Sequence, residues 1–193
     1  MNKYILIQLV RQILPMSHDR AAQVLDKFNP DKIARNTYLL KAGKVCNESH
    51  FIESGIIRSY TIDLEGNEVT TAFYSKNMFT CDLLSFFQRT ASKEYLQAIT
   101  DCEIWSTTYE DMQASFHTFP EYREFGRLNI INQYGMLKQR MLSVLQETAE
   151  QRYDDLMNAD PEILQHVPLK YIASYLGIAD TSLSRIRKEY IKK

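Results

Sequence analysis

The chain has 193 residues, of which 45% are hydrophobic and 24% charged, and its formal net charge is −1. This is the balance of an ordinary globular protein, and it excludes a disordered chain and a protein that is basic over its whole surface. The three cysteines, Cys46, Cys81 and Cys102, are odd in number and show neither CxxC nor zinc-site spacing, which favours reduced thiols in the cytoplasm.

The first 30 or so residues favour two helices. Ile5, Leu9 and Ile13 recur at the spacing of a helical face, and a short second helix near residues 20–28 ends before Pro30. Arg11 interrupts the apolar N-terminus, which also lacks a small-residue cleavage site, so we predict a packed helix instead of a signal peptide. Because no apolar run approaches transmembrane length, we expect no membrane partner.

Residues 33–110 alternate short β-branched and aromatic runs with turn signals. The candidate strands cover residues 38–40, 51–53, 56–60, 69–74, 96–99 and 103–105. Gly43, Gly55 and Gly66 lie between these runs and supply the positive φ that tight turns need. This spacing of strands and turns predicts an antiparallel barrel or roll.

The stretch from residue 121 to about residue 151 contains no proline and only two glycines, Gly126 and Gly135, and it predicts the longest helix of the chain. One set of its apolar positions follows the four-three spacing of a helix that pairs with another long helix: Ile130, Tyr134, Leu137, Met141 and Val144. A second stripe consists of Leu128, Ile131, Leu142 and Leu145. Either one stripe packs on the roll and the other on a partner subunit, or both form one wide core face of a monomer.

Residues 168–193 have the pattern of two short helices joined by a tight turn. Pro168 suits the first turn of a helix, and Gly177 suits a left-handed cap at its end. The apolar residues of the pair recur at helical spacing: Leu169, Ile172, Ala173, Leu176, Ile178, Leu183 and Ile186. The small side chain of Ala173 permits the close approach of two helices in a helix-turn-helix.

The second of these helices presents a polar face within a basic tail. Residues 168–193 contain six basic and two acidic residues although the whole chain is slightly acidic, and this asymmetry favours a polyanionic partner. We predict that Thr181, Ser182 and Arg185 contact base edges in the major groove. The residues expected to contact phosphates are Lys170, Ser184, Arg187, Lys188, Lys192 and Lys193.

Five segments resemble the Crp/Fnr family of transcription regulators: KAG at 41–43, FIESGIIRSY at 51–60, AITDCEI at 98–104, YIASYLGI at 171–178 and LSRI at 183–186. The last two, with TAEQRY at 148–153, are similar to a short branch of the family found in Bacteroidetes-type bacteria. The resemblance implies a regulator, and not an enzyme, that acts as a homodimer on double-stranded DNA. RNA polymerase is a further candidate partner.

The resemblance also implies the α+β architecture of that family. It assigns residues 1–118 to a sensor domain, an antiparallel β-roll of the jelly-roll, cyclic-nucleotide-binding-like type with flanking helices. Residues 119–147 would form a long dimerisation helix, and residues 148–193 a helical helix-turn-helix domain. We expect that domain to lack a full β-hairpin wing, since the sequence ends at Lys193.

In relatives that bind cyclic AMP, a Gly-Glu-Leu segment and a later arginine hold the ribose and the phosphate. The corresponding residues here form a degenerate effector pocket: Cys81, Asp82, Leu83, Ser92, Lys93, Glu94 and Tyr95. Glu94 stands where an arginine would neutralise the phosphate, and its carboxylate would repel that group. We therefore expect neither cyclic AMP nor another cofactor, and a different small-molecule effector stays open.

Two metal cofactors of the wider family are not expected either. An iron–sulfur cluster needs four clustered cysteines, and this chain has three dispersed ones. The four histidines, His18, His50, His117 and His166, show no pattern typical of haem or metal ligands.

Two other functions stay open at this point. A cupin-like enzyme would need two or three histidines and a carboxylate on its strands, whereas the candidate strands offer only His50. A sensory or scaffold protein that has lost sequence-specific DNA binding would agree with a missing wing and with the modest basic charge of the tail.

Overall fold

The computed structural model describes residues 3–190, which form eight strands and nine helices. The strands are β1 Asn29–Ile33, β2 Tyr38–Leu40, β3 Glu48–Ser54, β4 Ile57–Ile62, β5 Glu68–Tyr74, β6 Phe79–Thr80, β7 Tyr95–Ala98 and β8 Cys102–Thr108. The helices are α1 Tyr4–Ile13, α2 His18–Val24, α3 Leu83–Gln88, α4 Tyr109–Thr118, α5 Pro120–Gln146, α6 Ala149–Ala159, α7 Pro161–His166, α8 Leu169–Leu176 and α9 Asp180–Tyr190. None of the helices within residues 3–190 has the length and apolar character that crossing a bilayer requires.

The strands form two four-stranded antiparallel sheets, with orders β1-β8-β3-β6 and β2-β7-β4-β5. This arrangement confirms the predicted α+β fold with an antiparallel roll. The turn prediction at Gly55 is also confirmed, because its φ is +94° and an added Cβ would lie 2.5 Å from the carbonyl oxygen of Asp101. Only glycine fits there without a shift of the backbone.

Apolar side chains from both sheets form the core of the roll. Phe51, Ile52 and Ile57 have no exposed surface, and the N-terminal helices cover this core with Leu6 and Val10. The second helix begins at His18, two residues before the predicted start, because the Ser17 hydroxyl accepts a hydrogen bond from the Arg20 amide and caps it.

The long helix α5 ends at Gln146, five residues before the end predicted from its sequence pattern and one residue before the end of the long helix that the resemblance implied. Glu147 and Thr148 have extended backbone, and the Thr148 hydroxyl accepts a hydrogen bond from the Gln151 amide. The Gln151 side chain accepts one in return from the Thr148 amide, which completes a capping box. This cap starts a separate helix, α6, so the expected single helix divides at Thr148.

The two apolar stripes of α5 differ from both sequence expectations. Only Tyr122 and Phe125 of this helix are buried, and they join the core of the roll. The paired-helix stripe is exposed at Ile130, Tyr134, Leu137, Met141 and Val144. Ile131, Leu142 and Leu145 of the second stripe are exposed as well. The second stripe therefore does not pack on the roll beyond residue 128, and the helix has no wide core face within one subunit.

A second core lies in the C-terminal helices. Ile172, Ala173, Leu176 and Leu183 are at most 1% exposed and pack with residues of α6 and α7. Ile56, Phe73 and Ile99 of the roll belong to the same cluster. The helix-turn-helix therefore packs directly against the sensor roll within one chain.

Candidate nucleic-acid interface and sensor pocket

The turn between α8 and α9 has the geometry predicted from Gly177. This glycine has a φ of +69°, its amide donates to the Ser174 carbonyl, and the Ile178 amide donates to the Ala173 carbonyl at 3.0 Å. These two bonds satisfy the last carbonyls of α8 and turn the chain into α9. Leu183 and Ile186 of α9 are buried against α8, so the angle between the two helices is fixed by packing.

The exposed side of α9 carries the polar residues that the sequence singled out. Thr181, Ser184, Arg185 and Lys188 are exposed and follow the i, i+3, i+4, i+7 spacing of one helical face. Ser182 is half-buried at the flank of this face. Ser184, which was expected at a phosphate, therefore shares the exposed face with Arg185. We call Thr181, Ser184, Arg185 and Lys188 the α9 face.

The other expected phosphate contacts surround this face. Arg187 of α9 is half-buried, and Lys170 of α8 is exposed with its ammonium 4.8 Å from the centre of the Tyr171 ring. Lys192 and Lys193 lie outside the described residues.

An acidic group stands near the α9 face. Hydrogen bonds from its own backbone amide and from Thr148 lower the pKa of Glu150, and the nearby positive charge of Arg185 lowers it further. Glu150 occupies the first turn of α6, where a carboxylate is stabilised by the helix dipole. Glu150 thus adds negative charge in the neighbourhood of Arg185.

Helix α8 docks on β5, the edge strand of its sheet. The Ser174 hydroxyl accepts a hydrogen bond from the Thr70 amide at 2.9 Å and donates one to the Glu68 carbonyl at 3.0 Å. Arg140 of α5 donates to the Thr70 carbonyl and to the Tyr175 carbonyl. Three parts of the molecule, the roll, the long helix and the helix-turn-helix, therefore meet at Thr70.

A fully buried cation lies beside this junction. The Arg58 guanidinium lies 3.7 Å from the centre of the Tyr171 ring and 4.3 Å from that of the Tyr60 ring. Its Nε donates to the Thr70 hydroxyl and its Nη1 to the Glu68 carboxylate. The sequence analysis gave Arg58 no role of its own, although an arginine between isoleucines and a tyrosine in a candidate strand is a signal of a buried polar contact.

The first part of the predicted effector pocket is committed to structural contacts. Burial raises the pKa of the Cys81 thiol to about 12, so this thiol stays protonated. The Asp82 carboxylate accepts a hydrogen bond from the Ser85 amide and caps α3. Leu83, half-buried, lines with Cys81 an apolar cavity between α3, α4 and α5. Its volume of about 40 Å³ is far below that of a nucleotide site.

The second part comprises the three residues before β7 and the first residue of that strand, Tyr95. The Glu94 carboxylate accepts a hydrogen bond from the Ser59 hydroxyl at 2.9 Å, and the Ser92 hydroxyl accepts one from the Glu94 amide. Tyr95 stacks on Tyr60 with ring centres 4.8 Å apart, on the opposite face of the strand from the buried Leu96. The structure therefore separates Tyr95 from the interior of the roll. Lys93 is exposed, and its carbonyl accepts a hydrogen bond from the hydroxyl of Thr61.

Tyr74 at the end of β5 is half-buried and packs against the core of the roll. Burial raises the pKa of Tyr74, and the charges of Glu94, Cys81 and Asp82 act in the same direction. The Tyr74 side chain therefore occupies part of the roll interior.

A larger open cleft of about 450 Å³ lies between β2, β3 and the start of α4. Lys41 and Lys44 stand at this cleft together with Glu48 and Glu110, so its charges offset one another. Within residues 3–190 no group of three or more His, Cys, Asp or Glu side chains has the arrangement of a metal site.

Comparison with known proteins identifies the domain and the fold. Residues 30–118 match the family model described as "Cyclic nucleotide-binding domain". The chain is 25% identical over 186 residues to the fumarate and nitrate reduction regulatory protein of Vibrio cholerae, covering 90% of this chain and 72% of that protein. A protein of the same name from Yersinia pestis is 30% identical over 95 residues, which is 49% of this chain and 37% of the relative.

A solved structure shares the whole architecture at low sequence identity. The global regulator CLP of Xanthomonas campestris, described as c-di-GMP responsive, superposes with a TM-score of 0.71 at 14% identity. The match covers 91% of this chain and 92% of CLP. At this identity, the similarity establishes the fold and leaves ligands and partners to the residues themselves.

Proposed function

We propose, from the premise that this chain is homologous to the Crp/Fnr regulators, that it is a homodimeric DNA-binding transcription regulator. Its relatives are regulatory proteins and not enzymes. The observation that carries the proposal is the α9 face, a polar and basic helix surface that stays exposed while the opposite side of α9 is locked into a core. Such a regulator would act in the cytoplasm, where bacterial DNA is accessible.

The α9 face supports a division between base and phosphate contacts. Arg185 has the length and the planar donor pair to reach guanine in the major groove, and Thr181 and Ser182 supply hydroxyls near the start of the helix. The proposed phosphate contacts are Lys170, Ser184, Arg187, Lys188, Lys192 and Lys193.

The exposed stripe of α5 supports a homodimer. Tyr134 and Leu137 are each 64% exposed, Met141 55% and Val144 51%, which is unusual for large apolar residues in a folded chain. The same seam on a second copy would cover them by knobs-into-holes packing. Two recognition helices of such a dimer would meet successive major grooves about 34 Å apart on a near-palindromic site. RNA polymerase is a further candidate partner.

The sensor roll supports an effector other than cyclic AMP. The Glu94 carboxylate is bonded to buried Ser59, the Asp82 carboxylate caps α3 beside it in sequence, and Tyr74 packs against the core of the roll. A cyclic phosphate placed there would meet negative charge and no arginine, and it would be repelled. We propose that the roll takes a neutral or cationic small molecule beside Cys81, Asp82, Leu83, Ser92 and Glu94, or none; Tyr95 faces away from the interior and Lys93 is exposed, so neither belongs to this proposed site.

One observation favours a second candidate function, a sensor or scaffold that does not bind specific DNA. The carboxylate of Glu150 already stands near Arg185, and it would weaken the attraction of the α9 face for phosphate. Such a protein would act through contacts that its roll and α5 make with other proteins.

The test is selection of duplex DNA from a random pool, followed by titration of the full chain with the selected duplex and with random duplex. We expect tighter binding to the selected duplex, and a loss of affinity of about 10³-fold or more between 50 and 200 mM salt if six or more phosphates are contacted. No enrichment and a flat response to salt would reject DNA binding and favour the second candidate.

A further inference from the structure

We propose that Arg58 and Arg140, stacked on Tyr171 and Tyr175, form a latch that holds the helix-turn-helix in one orientation against the sensor roll. We call these four residues the arginine latch. The inference rests on the proposed function, because it assigns to the latch the task of setting where α9 stands for DNA. Its contacts, however, can be measured without DNA.

The first half of the latch joins β4 to α8. The Arg58 guanidinium lies between the rings of Tyr60 and Tyr171, at 4.3 Å and 3.7 Å from their centres. Tyr60 belongs to the roll and Tyr171 to the helix-turn-helix. A desolvated cation between two aromatic faces is held more strongly than an exposed one, so Arg58 ties the two domains together at this point.

The second half joins α5 to α8 and β5. The Arg140 guanidinium lies 3.6 Å from the centre of the Tyr175 ring, and its Nη2 donates to the carbonyls of Tyr175 and Thr70 at 3.0 and 3.3 Å. One side chain of the long helix therefore contacts both the sensor strand and the helix-turn-helix. Movement of α5 relative to either domain must break these bonds.

Docking also completes an edge of the sheet. β5 is the outermost strand of its sheet, so the outward amide and carbonyl of Thr70 have no strand partner. The Ser174 hydroxyl accepts a hydrogen bond from the Thr70 amide, and Arg140 donates one to the Thr70 carbonyl. The Thr70 amide is therefore covered only when the helix-turn-helix is docked, and its exchange with solvent reports the state of the latch.

The docked state carries a cost that allows it to open. Within the described residues, the Nη2 of Arg58 is buried without a protein hydrogen-bond partner. A buried donor in that condition costs free energy. The Glu68 and Thr70 partners of Arg58 both belong to the roll, so undocking keeps these bonds and hydrates the free N–H. Hydration of this N–H offsets part of the loss of the Tyr171 contact, which lowers the free-energy cost of opening.

The latch sets an orientation and does not cover the DNA-binding surface. Thr181 and Arg185 are exposed while Tyr171 and Tyr175 are docked on the roll. Because Arg140 ties α8 to α5, the latch fixes the recognition helix relative to the helix that would pair across the dimer axis. A dimer with closed latches would present two helices at one spacing, whereas open latches would leave them on flexible tethers.

The test is amide hydrogen exchange of the full chain, with Tyr171→Ala against the matched control Tyr171→Phe. Tyr171→Ala removes the ring and leaves Ser174 and Arg140 in place, so a cooperative latch gives about tenfold faster exchange of the Thr70 amide. Tyr171→Phe keeps the ring and should exchange like the wild type. Equal exchange in all three proteins would overturn the proposal.

A second variant separates opening of the latch from unfolding of the helix-turn-helix, which Tyr171→Ala could also cause. Arg140→Met lies on α5, outside the core of α8 and α9, and does not itself bond the Thr70 amide. It should also speed exchange of that amide while the amide of Ile52, inside the roll, stays protected. An unchanged Thr70 amide in Arg140→Met would overturn the latch whatever Tyr171→Ala does.

DNA binding distinguishes failure of the latch from failure of the proposed function. With duplexes selected from a random pool, Tyr171→Ala should lose about tenfold in affinity for a duplex with two half-sites and little for a single half-site. If the Thr70 amide exchanges faster in the variants but the wild type binds no duplex, the latch is supported and DNA binding is rejected. Equal losses on both duplexes would reject the positioning role.

Discussion

The guanidinium of Arg58 lies 3.7 Å from the centre of the Tyr171 ring, so a fully buried cation of the sensor sheet contacts the first helix of the helix-turn-helix. The two domains are thus not independent bodies on a linker. A change in the roll that moves β4 or β5 therefore reaches α8 through side chains in direct contact, which gives a contiguous route for coupling between the roll and the helix-turn-helix.

Substitution of the exposed seam of α5 should dissociate the dimer. Leu137→Glu places a charge in the centre of the proposed interface, where it would be buried without a partner, and we expect a monomer by light scattering at micromolar concentration. Gln139→Glu is the matched control, because residue 139 is exposed on the opposite side of the same helix. A wild-type monomer, or a dimer that survives Leu137→Glu, would contradict this interface.

The same glycine-to-alanine change should have opposite effects at two positions. Gly177 has a φ of +69°, so Gly177→Ala forces a side chain into the left-handed region and should destabilise the protein by about 1–2 kcal/mol. Gly135 lies within α5, so Gly135→Ala should stabilise it by about 0.5–1 kcal/mol. An added Cβ meets no atom within 4 Å at either site, so urea unfolding isolates the backbone effect. Equal shifts of one sign would be inconsistent with the left-handed cap.

Acid should destabilise the roll through His50. Burial lowers the pKa of His50 from 6.5 to about 4, and its Nδ1 lies 2.8 Å from the Ser106 hydroxyl. Between these two values the unfolded state binds more protons, so stability is complete above about pH 6.5 and falls by up to about 3 kcal/mol as the pH decreases to about 4. Urea unfolding of His50→Gln should lack this component. The same pH dependence in wild type and variant would exclude His50 as its source.

Cyclic AMP should leave the protein unchanged. A ligand at a hundredfold excess over its dissociation constant stabilises the folded state by about 2.7 kcal/mol, which a thermal melt detects readily. With the Glu94 carboxylate bonded to Ser59 inside the roll, we expect no shift of Tm at millimolar cyclic AMP. A clear upward shift would show that the acidic interior tolerates a phosphate.

Local signals allowed much of the fold to be predicted. Gly43, Gly55 and Gly66 mark turns in the sequence, and each has the positive φ that was expected. Ala173, Gly177 and Leu183 likewise placed both helices of the helix-turn-helix, since caps and helical spacing act within a few residues. The early end of α5 had a local signal too, because Thr148 and Gln151 have the spacing of a capping box.

Contacts between distant segments could not be predicted in this way. Arg58 meets Tyr171 across 113 positions of the chain, and no pattern near either residue identifies the other. The effector pocket was predicted from two short stretches of sequence, yet the extended backbone that enters β7 turns Tyr95 away from the face on which Glu94 contacts Ser59. The sequence could name the candidate residues, but only the packing shows which of them face one another.

The most direct test of the account compares Arg185→Ala with Lys188→Ala in binding titrations on selected and random duplex. If Arg185 contacts a base, its loss should lower the ratio of the two affinities by about 10- to 100-fold. Lys188→Ala should weaken binding to both duplexes alike and reduce the slope of log affinity against log salt concentration by about one. An Arg185→Ala protein that loses the same factor on both duplexes would contradict sequence recognition by the α9 face.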